Sequence, residues 1–290
     1  MQLGAVFPQT EIGNDPLAIR DFAQATEAMR FSRLEIFDHV ASVDITHRSD
    51  WPGPYTEAHP FHEIFVLLGY LAACTRNLEL VTTVLVLPQR ETALVAKQAA
   101  EVDVLCEGRL VLGVGLGWNY VEYDILNRNF HDRGRRIEEQ VAVLRALWTQ
   151  QAVDFHGRWH HISAAGINPL PVQRPIPVWF GGGADPVLRR IAKIGDGWFP
   201  SSSNDAALPE LFERLRTYTL EAGRDPGAIG MSGRINAGQA GPETWRRRVQ
   251  MWRDLGCTQT AANTMNGGLE TVDDHIKRLQ AFRDAVADTV

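Results

Sequence analysis

The chain has 290 residues, of which 44% are hydrophobic and 22% charged, enough to bury the core of one α/β barrel or of two smaller domains. A net charge of −6 without a basic stripe argues against a nucleic-acid partner, and no apolar run is long enough to span a bilayer. Three widely spaced cysteines and an N-terminus without a signal-peptide pattern predict a cytoplasmic protein with reduced thiols.

Short apolar runs rich in Val, Ile and Leu alternate with helical patterns along the chain. They predict strands at 3–7, 33–37, 78–87, 110–114, 178–180, 196–199, 229–235 and 258–263. The helices are expected at 16–29, 61–74, 92–106, 133–148, 185–194, 208–222, 242–255 and 271–286. This alternation favours a (β/α)8 TIM barrel, an α/β fold, as a single domain over 1–290. A β-hairpin is expected at 153–162, in an insertion around 150–176, with extended loops at the C-terminal mouth.

In such barrels the active site lies at the C-terminal ends of the strands. The residues at these ends are Gln9, Asp38, His39, Thr83, Val84, Trp118, Asn119, Gly181, Gly182, Gly183, Arg234, Asn236 and Asn263. Among them His39 is the candidate catalytic residue, since an imidazole exchanges protons near neutral pH. The alternative is that His39 merely packs at a strand end. His156, His160 and His161 are interpreted as surface residues, and no metal site is expected, because no ligand spacing is present.

Two glycine patterns point to a flat, phosphorylated ligand. Gly113, Gly115 and Gly117 alternate at the end of one strand, and a run of three, 181–183, precedes a predicted helix. Backbone N–H groups at the start of a helix bind phosphate well. The spacing does not fit the dinucleotide fingerprint G-x-G-x-x-G, so a nicotinamide cofactor is not expected.

Five segments together resemble the luciferase-like monooxygenase superfamily, and specifically its branch of F420-dependent oxidoreductases. They are GRLVLGVGLGWN at 108–119, VLVLPQR at 84–90, VWFGGG at 178–183, GDGWF at 195–199 and NTM at 263–265. The matching segments are spread over nearly the whole chain, and the fold of that family is a (β/α)8 barrel with an insertion.

The resemblance implies a deazaflavin at the barrel mouth, next to a cis peptide bond at Thr83–Val84. The phosphate would lie at Gly182, Gly183 and Ala184. The full set of cofactor-binding candidates is Asp38, His39, Thr82, Thr83, Val84, Gly115, Gly117, Trp118, Asn119, Gly181, Gly182, Gly183 and Ala184.

His39 matches the active-site histidine of F420-dependent sugar-phosphate dehydrogenases, but two neighbouring positions differ. Trp118 replaces an acidic residue and Val43 replaces a tryptophan. The glutamate that would act with the histidine is therefore expected to be missing, which argues against sugar-phosphate oxidation. A fairly apolar small-molecule substrate is expected instead, in a pocket formed by Gln9, Trp51, Tyr55, Trp118 and Asn263.

The leading hypothesis is hydride transfer between F420 and this substrate. The alternatives are a monooxygenase that uses reduced FMN and O2, a barrel that binds a flavin or deazaflavin without turnover, and a cofactor-free phosphate-binding barrel. By the same resemblance, a homodimer is expected.

Overall fold

Eight parallel strands close into a barrel in the computed structural model, which describes residues 1–48, 50–201 and 204–289. In chain order the strands are β1 (Gln2–Val6), β2 (Arg33–Ile36), β3 (Glu79–Thr82), β4 (Leu85–Val86), β5 (Leu110–Gly115), β6 (Val153–His156), β7 (His161–Ala165), β8 (Val178–Gly181), β9 (Gly197–Phe199), β10 (Gly230–Asn236) and β11 (Gln259–Asn263). β3 and β4 together form the third barrel strand, and both pair with β5. β1 pairs with β2 on one side and with β11 on the other, which closes the barrel. The predicted fold class is confirmed.

The helices follow the strands as the hydrophobic pattern predicts. They are α1 (Pro16–Ala28), α2 (Ile64–Cys74), α3 (Thr92–Leu105), α4 (Tyr120–Ile125), α5 (Arg133–Thr149), α6 (Asp185–Ile194), α7 (Leu208–Glu221), α8 (Pro242–Asp254) and α9 (Val272–Val286). Helix α2 begins later than predicted, because the Glu63 carboxylate caps it by accepting from Val66 N at 2.9 Å. The short helix α4 was not predicted. Within the described ranges, no helix is long and apolar enough to cross a membrane.

A tryptophan fills the lower part of the barrel. Trp179 of β8 lies inside, where a Cβ on Gly197 or Gly230 would come within 2.1 Å and 2.3 Å of its ring. These two glycines therefore make room for the indole. The buried Arg33 guanidinium lies 4.9 Å from the centre of the same ring, and Phe199 packs 5.1 Å from it. Together with Val81 and Val111, the rings of Trp179 and Phe199 form a buried apolar cluster.

The hairpin β6–β7 lies between α5 and β8, as expected for the inserted segment. The carboxylate of Glu139, on α5, accepts hydrogen bonds from the backbone N–H groups of residues 158, 159 and 160. It also contacts His160 Nδ1 at 2.8 Å, while His160 Nε2 lies 2.6 Å from Thr92 Oγ1. The interpretation of His160 as a surface residue is thus wrong: it fastens the hairpin to the barrel.

A second histidine is fully buried next to the barrel. His275 on α9 bonds through Nδ1 to Thr264 Oγ1 at 2.8 Å, and its Nε2 lies 3.4 Å from a carboxylate oxygen of Glu11. Burial lowers the pKa of His275 to about 4, although Asp274 opposes the shift. The folded protein therefore holds this imidazole neutral at pH values at which an unfolded chain would protonate it.

We expect the stability of the protein to fall with decreasing pH through this residue. The pKa of His275 rises from about 4 to 6.5 on unfolding, so between these values the unfolded chain binds an extra proton. Between pH 6 and pH 5 the free energy of unfolding should fall by about 1 kcal/mol more in the wild type than in His275→Gln. Urea unfolding at a series of pH values measures both slopes. Equal slopes would contradict the assignment.

Candidate active site

The C-terminal end of β2 carries an acid and a histidine whose surroundings differ. Asp38 is buried and accepts hydrogen bonds from Val86 N at 3.0 Å and from Arg90 Nη2 at 2.7 Å. Burial raises the pKa of Asp38, and the Arg90 guanidinium and the Val86 N–H oppose that shift. Asp38 therefore ties the end of β2 to β4 and to the segment that follows it. His39, the next residue, turns instead towards the mouth of the barrel.

A glutamate that the sequence analysis missed contacts His39. Glu122 on α4 is almost fully buried, and its Oε2 lies 2.9 Å from His39 Nδ1. Its Oε1 accepts from the backbone N–H groups of Val40 and Ala41 at 2.7 Å and 3.1 Å. Burial disfavours the charged form of Glu122, but the bonds from His39 and the backbone outweigh it, so its pKa lies below the usual value. The expectation that His39 has no glutamate partner was wrong.

Helix α4 places that glutamate. Asn119 caps the helix, and its Oδ1 accepts from Val121 N and Glu122 N at 3.1 Å and 3.3 Å. A helix of this length is too short to show hydrophobic periodicity. The sequence signal that would have found it is the Asn-x-x-Glu spacing at its start, which is typical of helix N-termini.

Aromatic side chains surround the His39 imidazole. The centres of the rings of Tyr55, Phe61 and Trp118 lie 5.2 Å, 4.8 Å and 5.5 Å from the centre of the imidazole. Trp51, from the predicted mouth loop, packs on Trp118 at 5.6 Å and donates from Nε1 to Tyr55 O at 3.0 Å. His39, Tyr55 and Trp118 line a cavity of about 180 Å³, called here the small chamber. Its lining residues are Phe37, Asp38, His39, Tyr55, Thr83, Val84, Val86, Gly117, Trp118 and Arg234.

A larger cavity of about 540 Å³, called here the large chamber, adjoins the small one. Both chambers are lined by the same five residues: Thr83, Val84, Gly117, Trp118 and Arg234. The large chamber is lined further by Gly115, Gly181 and Gly182, and by polar groups from β2, β10 and α8, namely Glu35, Ser232, Asn236 and Arg248. The side-chain oxygen of Thr83 is buried without a hydrogen-bond partner in the described part of the chain.

Two glycines, Gly115 and Gly181, make room for the side chain of Val84. A Cβ on Gly115 would lie 2.4 Å from Val84 Cγ2, and one on Gly181 would lie 2.8 Å from Val84 Cγ1. The bond between Thr83 and Val84 is cis, as the resemblance implies. Gly113 serves packing as well, because a Cβ there would lie 1.9 Å from Thr82 O. These glycines therefore allow the wall of the chamber to pack closely, in addition to leaving room for a ligand.

The far end of the large chamber is suited to an anion. Gly182 lines it and has a φ of 127°, which favours glycine, and α6 begins nearby without a side-chain cap at Ala184. The Asp185 carboxylate in the first turn of α6 is held by Arg189, Arg214 and Tyr218. Arg248 and Asp205, which form an ion pair, line the chamber as well, so a bound anion would compete with Asp205 for the guanidinium.

Some predicted site residues have other roles. Gln9 donates to His62 O at 3.3 Å, Asn263 accepts from Met265 N at 3.0 Å, and Thr82 donates to Gly113 O at 2.6 Å. None of the three lines either chamber, and neither do Gly183 and Ala184. Trp51 stands behind Trp118 as its support. Over residues 1–48, 50–201 and 204–289, no group of three acidic, histidine or cysteine side chains could hold a metal ion.

The sequence matches a known protein family and is similar to characterised proteins. The family model for luciferase-like monooxygenases matches residues 4–287. An F420-dependent glucose-6-phosphate dehydrogenase of Gordonia bronchialis is 26% identical over 268 residues, covering 88% of this chain and 75% of its own. An FMNH2-dependent dimethylsulfone monooxygenase of Pseudomonas putida is 33% identical over 146 residues, covering 49% of this chain and 40% of its own.

Two solved structures share the fold at low sequence identity. The monooxygenase RslO1 from Streptomyces bottropensis has a TM-score of 0.80 at 17% identity, covering 99% of both chains. An F420-dependent secondary alcohol dehydrogenase has a TM-score of 0.78 at 16% identity, covering 98% of this chain and 99% of its own. At these identities the likeness establishes the architecture alone.

The fit between Val84 and its glycines can be tested by a double-mutant cycle. Gly115→Ala should destabilise the protein by about 1–3 kcal/mol, because its methyl group would overlap Val84. Adding Val84→Ala should recover part of that loss, with a coupling energy of about 1 kcal/mol in urea unfolding. The control is Gly69→Ala in α2, where nothing lies within 4 Å of the added Cβ, and it should be neutral or stabilising. Strictly additive effects of the two substitutions would argue against the packing account.

Proposed function

The chain belongs to the luciferase-like monooxygenase family, and on that premise we propose that it transfers a hydride between coenzyme F420 and a small organic substrate. The observation that carries the proposal is the His39 imidazole at the edge of the small chamber, bound at Nδ1 by the buried Glu122. A hydride exchanged with an alcohol or a carbonyl needs a proton partner beside it, and His39 supplies one.

The large chamber fits a tricyclic ring with a phosphate-bearing tail. One wall is the Val84 side chain seated between Gly115 and Gly181. Thr83 Oγ1 is buried there without a partner in the described residues, so a ligand's polar edge would satisfy it. The uncapped start of α6 and Arg248 would hold the phosphate end. When bound, F420 would supply a two-electron hydride donor or acceptor.

The residues of this chain would transfer the proton and bind the substrate. The Glu122 carboxylate favours the tautomer in which His39 Nδ1 carries the hydrogen, which leaves Nε2 for the substrate side. His39 would then hand a proton to a substrate oxygen, or accept one from it, according to the direction of hydride transfer. Tyr55 and Trp118 would exclude water and bury an apolar part of the substrate, while Phe61 packs against the imidazole of His39.

The second candidate function is a monooxygenase that uses reduced FMN and O2. It is supported by the similarity to the dimethylsulfone monooxygenase, and the glycine-lined wall suits FMN equally well. A third possibility is a barrel that binds either cofactor without catalysis. It would be favoured if His39→Ala left every measured activity unchanged.

Titration of the purified protein with F420 and with FMN tests the cofactor. We expect F420 to bind more tightly and to quench tryptophan fluorescence, because Trp118 lines both chambers. Equilibrium dialysis provides an independent dissociation constant. Tighter binding of FMN, together with O2 consumption by the reduced complex, would support the monooxygenase instead. Binding of neither cofactor would refute the proposal.

Replacing the glutamate that holds His39 tests the proton partner. With reduced F420 bound, Glu122→Gln should lower kcat for reduction of the ketone cyclohexanone by about 100-fold and change KM little, because the amide would favour the wrong tautomer of His39. The control is Glu139→Gln, which alters a second histidine–carboxylate pair, that of His160, outside both chambers. It should keep wild-type kcat. Similar losses in both variants would indicate a structural effect only.

We also propose that two copies of this chain associate through α2. Outward-facing apolar side chains lie on this helix and its neighbours, with Val66 74% exposed on α2 and Leu17 and Leu94 more than half exposed on α1 and α3. A patch of this kind is typical of a subunit interface. Sedimentation velocity should therefore give a dimer, and Val66→Glu a monomer. Leu220→Glu, on the exposed face of α7, is the control and should remain dimeric.

A further inference from the structure

Arg234 stands where the two chambers meet. It is carried by β10, lines both cavities, and keeps 37% of its side chain exposed. Its guanidinium carbon lies 4.7 Å from the centre of the Phe37 ring, so one face of the planar group is covered. The N–H groups at its edge are the part available to a ligand.

The charge of Arg234 is poorly satisfied by the protein. Among the described residues its one ion pair joins Nη2 to Glu35 Oε2 at 3.4 Å, at the long limit for a hydrogen bond. Nε is buried, and none of the described residues accepts a hydrogen bond from it. The ion pair of Arg90 is closer, since its Nη2 donates to Asp38, a lining residue of the small chamber, at 2.7 Å. The guanidinium of Arg234 thus has hydrogen-bonding capacity left.

Glu35 is the counter-ion of Arg234, but the two side chains are not in close contact. The carboxylate is buried on β2 and lines the large chamber, where Ser232 Oγ donates to it at 3.0 Å. It accepts at one oxygen from the hydroxyl and at the other, distantly, from Arg234. The guanidinium of Arg234 can therefore turn from Glu35 towards the anionic group of a ligand that comes closer to it.

The other charges around the small chamber are already engaged. The carboxylate of Asp38 is bound by Arg90 and by Val86 N. Among the lining side chains Arg234 is the one with a permanent positive charge. Tyr55 lies across from it: burial raises the pKa of Tyr55, and the charge of Arg234 acts against that shift. Arginine, phenol and imidazole thus face one space with aromatic walls.

We propose that Arg234 is a specificity-determining residue that binds the carboxylate of a small organic acid in the small chamber. This assignment of a substrate class rests on the function proposed above. The guanidinium fork matches a carboxylate, and the rings of Tyr55 and Trp118, which line the small chamber, would accept a flat apolar body. The expected substrate is therefore apolar over most of its surface and anionic at one end.

Benzoate and its neutral analogue benzamide are the probes, because both are flat and differ in charge. Their binding is measured by calorimetry on the cofactor-free protein, so the result stands apart from the outcome of the F420 titration. Wild type should bind benzoate about 10-fold or more tightly than benzamide. Arg234→Gln should abolish that preference, with little change in benzamide binding. Arg216→Gln, which removes an exposed charge on α7, is the control and should retain it.

Glu35→Gln separates recognition from a purely structural ion pair. It keeps an acceptor for Ser232 but removes the competing negative charge, so benzoate should bind about 3-fold to 10-fold more tightly than to wild type. If the ion pair between Glu35 and Arg234 only stabilises the fold, Glu35→Gln and Arg234→Gln should lose thermal stability to the same extent and keep the preference for benzoate over benzamide. That result, or equal binding of benzoate and benzamide by wild type, would overturn the proposal. So would loss of benzoate binding in Arg248→Gln but not in Arg234→Gln, since the anion would then occupy the phosphate end.

Discussion

One buried carboxylate organises the mouth of this barrel. Glu122 accepts from His39 at one oxygen and from the N–H groups of Val40 and Ala41 at the other. A buried charge is tolerated only where hydrogen bonds replace the water that it loses, and here all the short bonds come from the turn after β2. The same interaction therefore orients the imidazole, begins the long mouth loop and anchors α4. The protein alone therefore orders the imidazole of His39, so the proposed catalytic role would need little further ordering when a cofactor binds.

The second constraint is space. Val84 projects into a gap that exists because Gly115 and Gly181 lack side chains, and Gly117 has a positive φ next to Val86. The wall facing the large chamber is therefore fixed by packing. Deeper in the barrel, Trp179 is accommodated by Gly197 and Gly230 in the same manner. Glycines that suggest ligand contacts in the sequence thus have a prior role in fitting side chains into a closed sheet.

The difference between what could and could not be predicted follows from the range of the interactions. The barrel was predictable because hydrophobic periodicity is local to each strand and helix. His39 and Trp118 were predictable because parallel strands bring their ends together at one mouth. The bond between His39 and Glu122 joins residues far apart in the sequence, through a helix too short to be recognised by its pattern. Gln9 also ends a strand, but its amide reaches the His62 carbonyl instead of a chamber, and strand position alone does not fix where a side chain points.

The two chambers differ in how much they indicate about the reaction and the substrate. The glycine-lined wall would suit F420 and FMN equally well, so it carries little information about the reaction. The small chamber is different, because it combines a histidine held by a carboxylate with an arginine whose counter-ion is distant. A proton partner serves hydride exchange at an oxygen-bearing carbon, and the cation would orient that carbon through a distal carboxylate. A change at position 234 could then alter the substrate while the wall formed by Val84 stays the same, because Arg234 lies on β10 and the glycines that seat Val84 lie on β5 and β8.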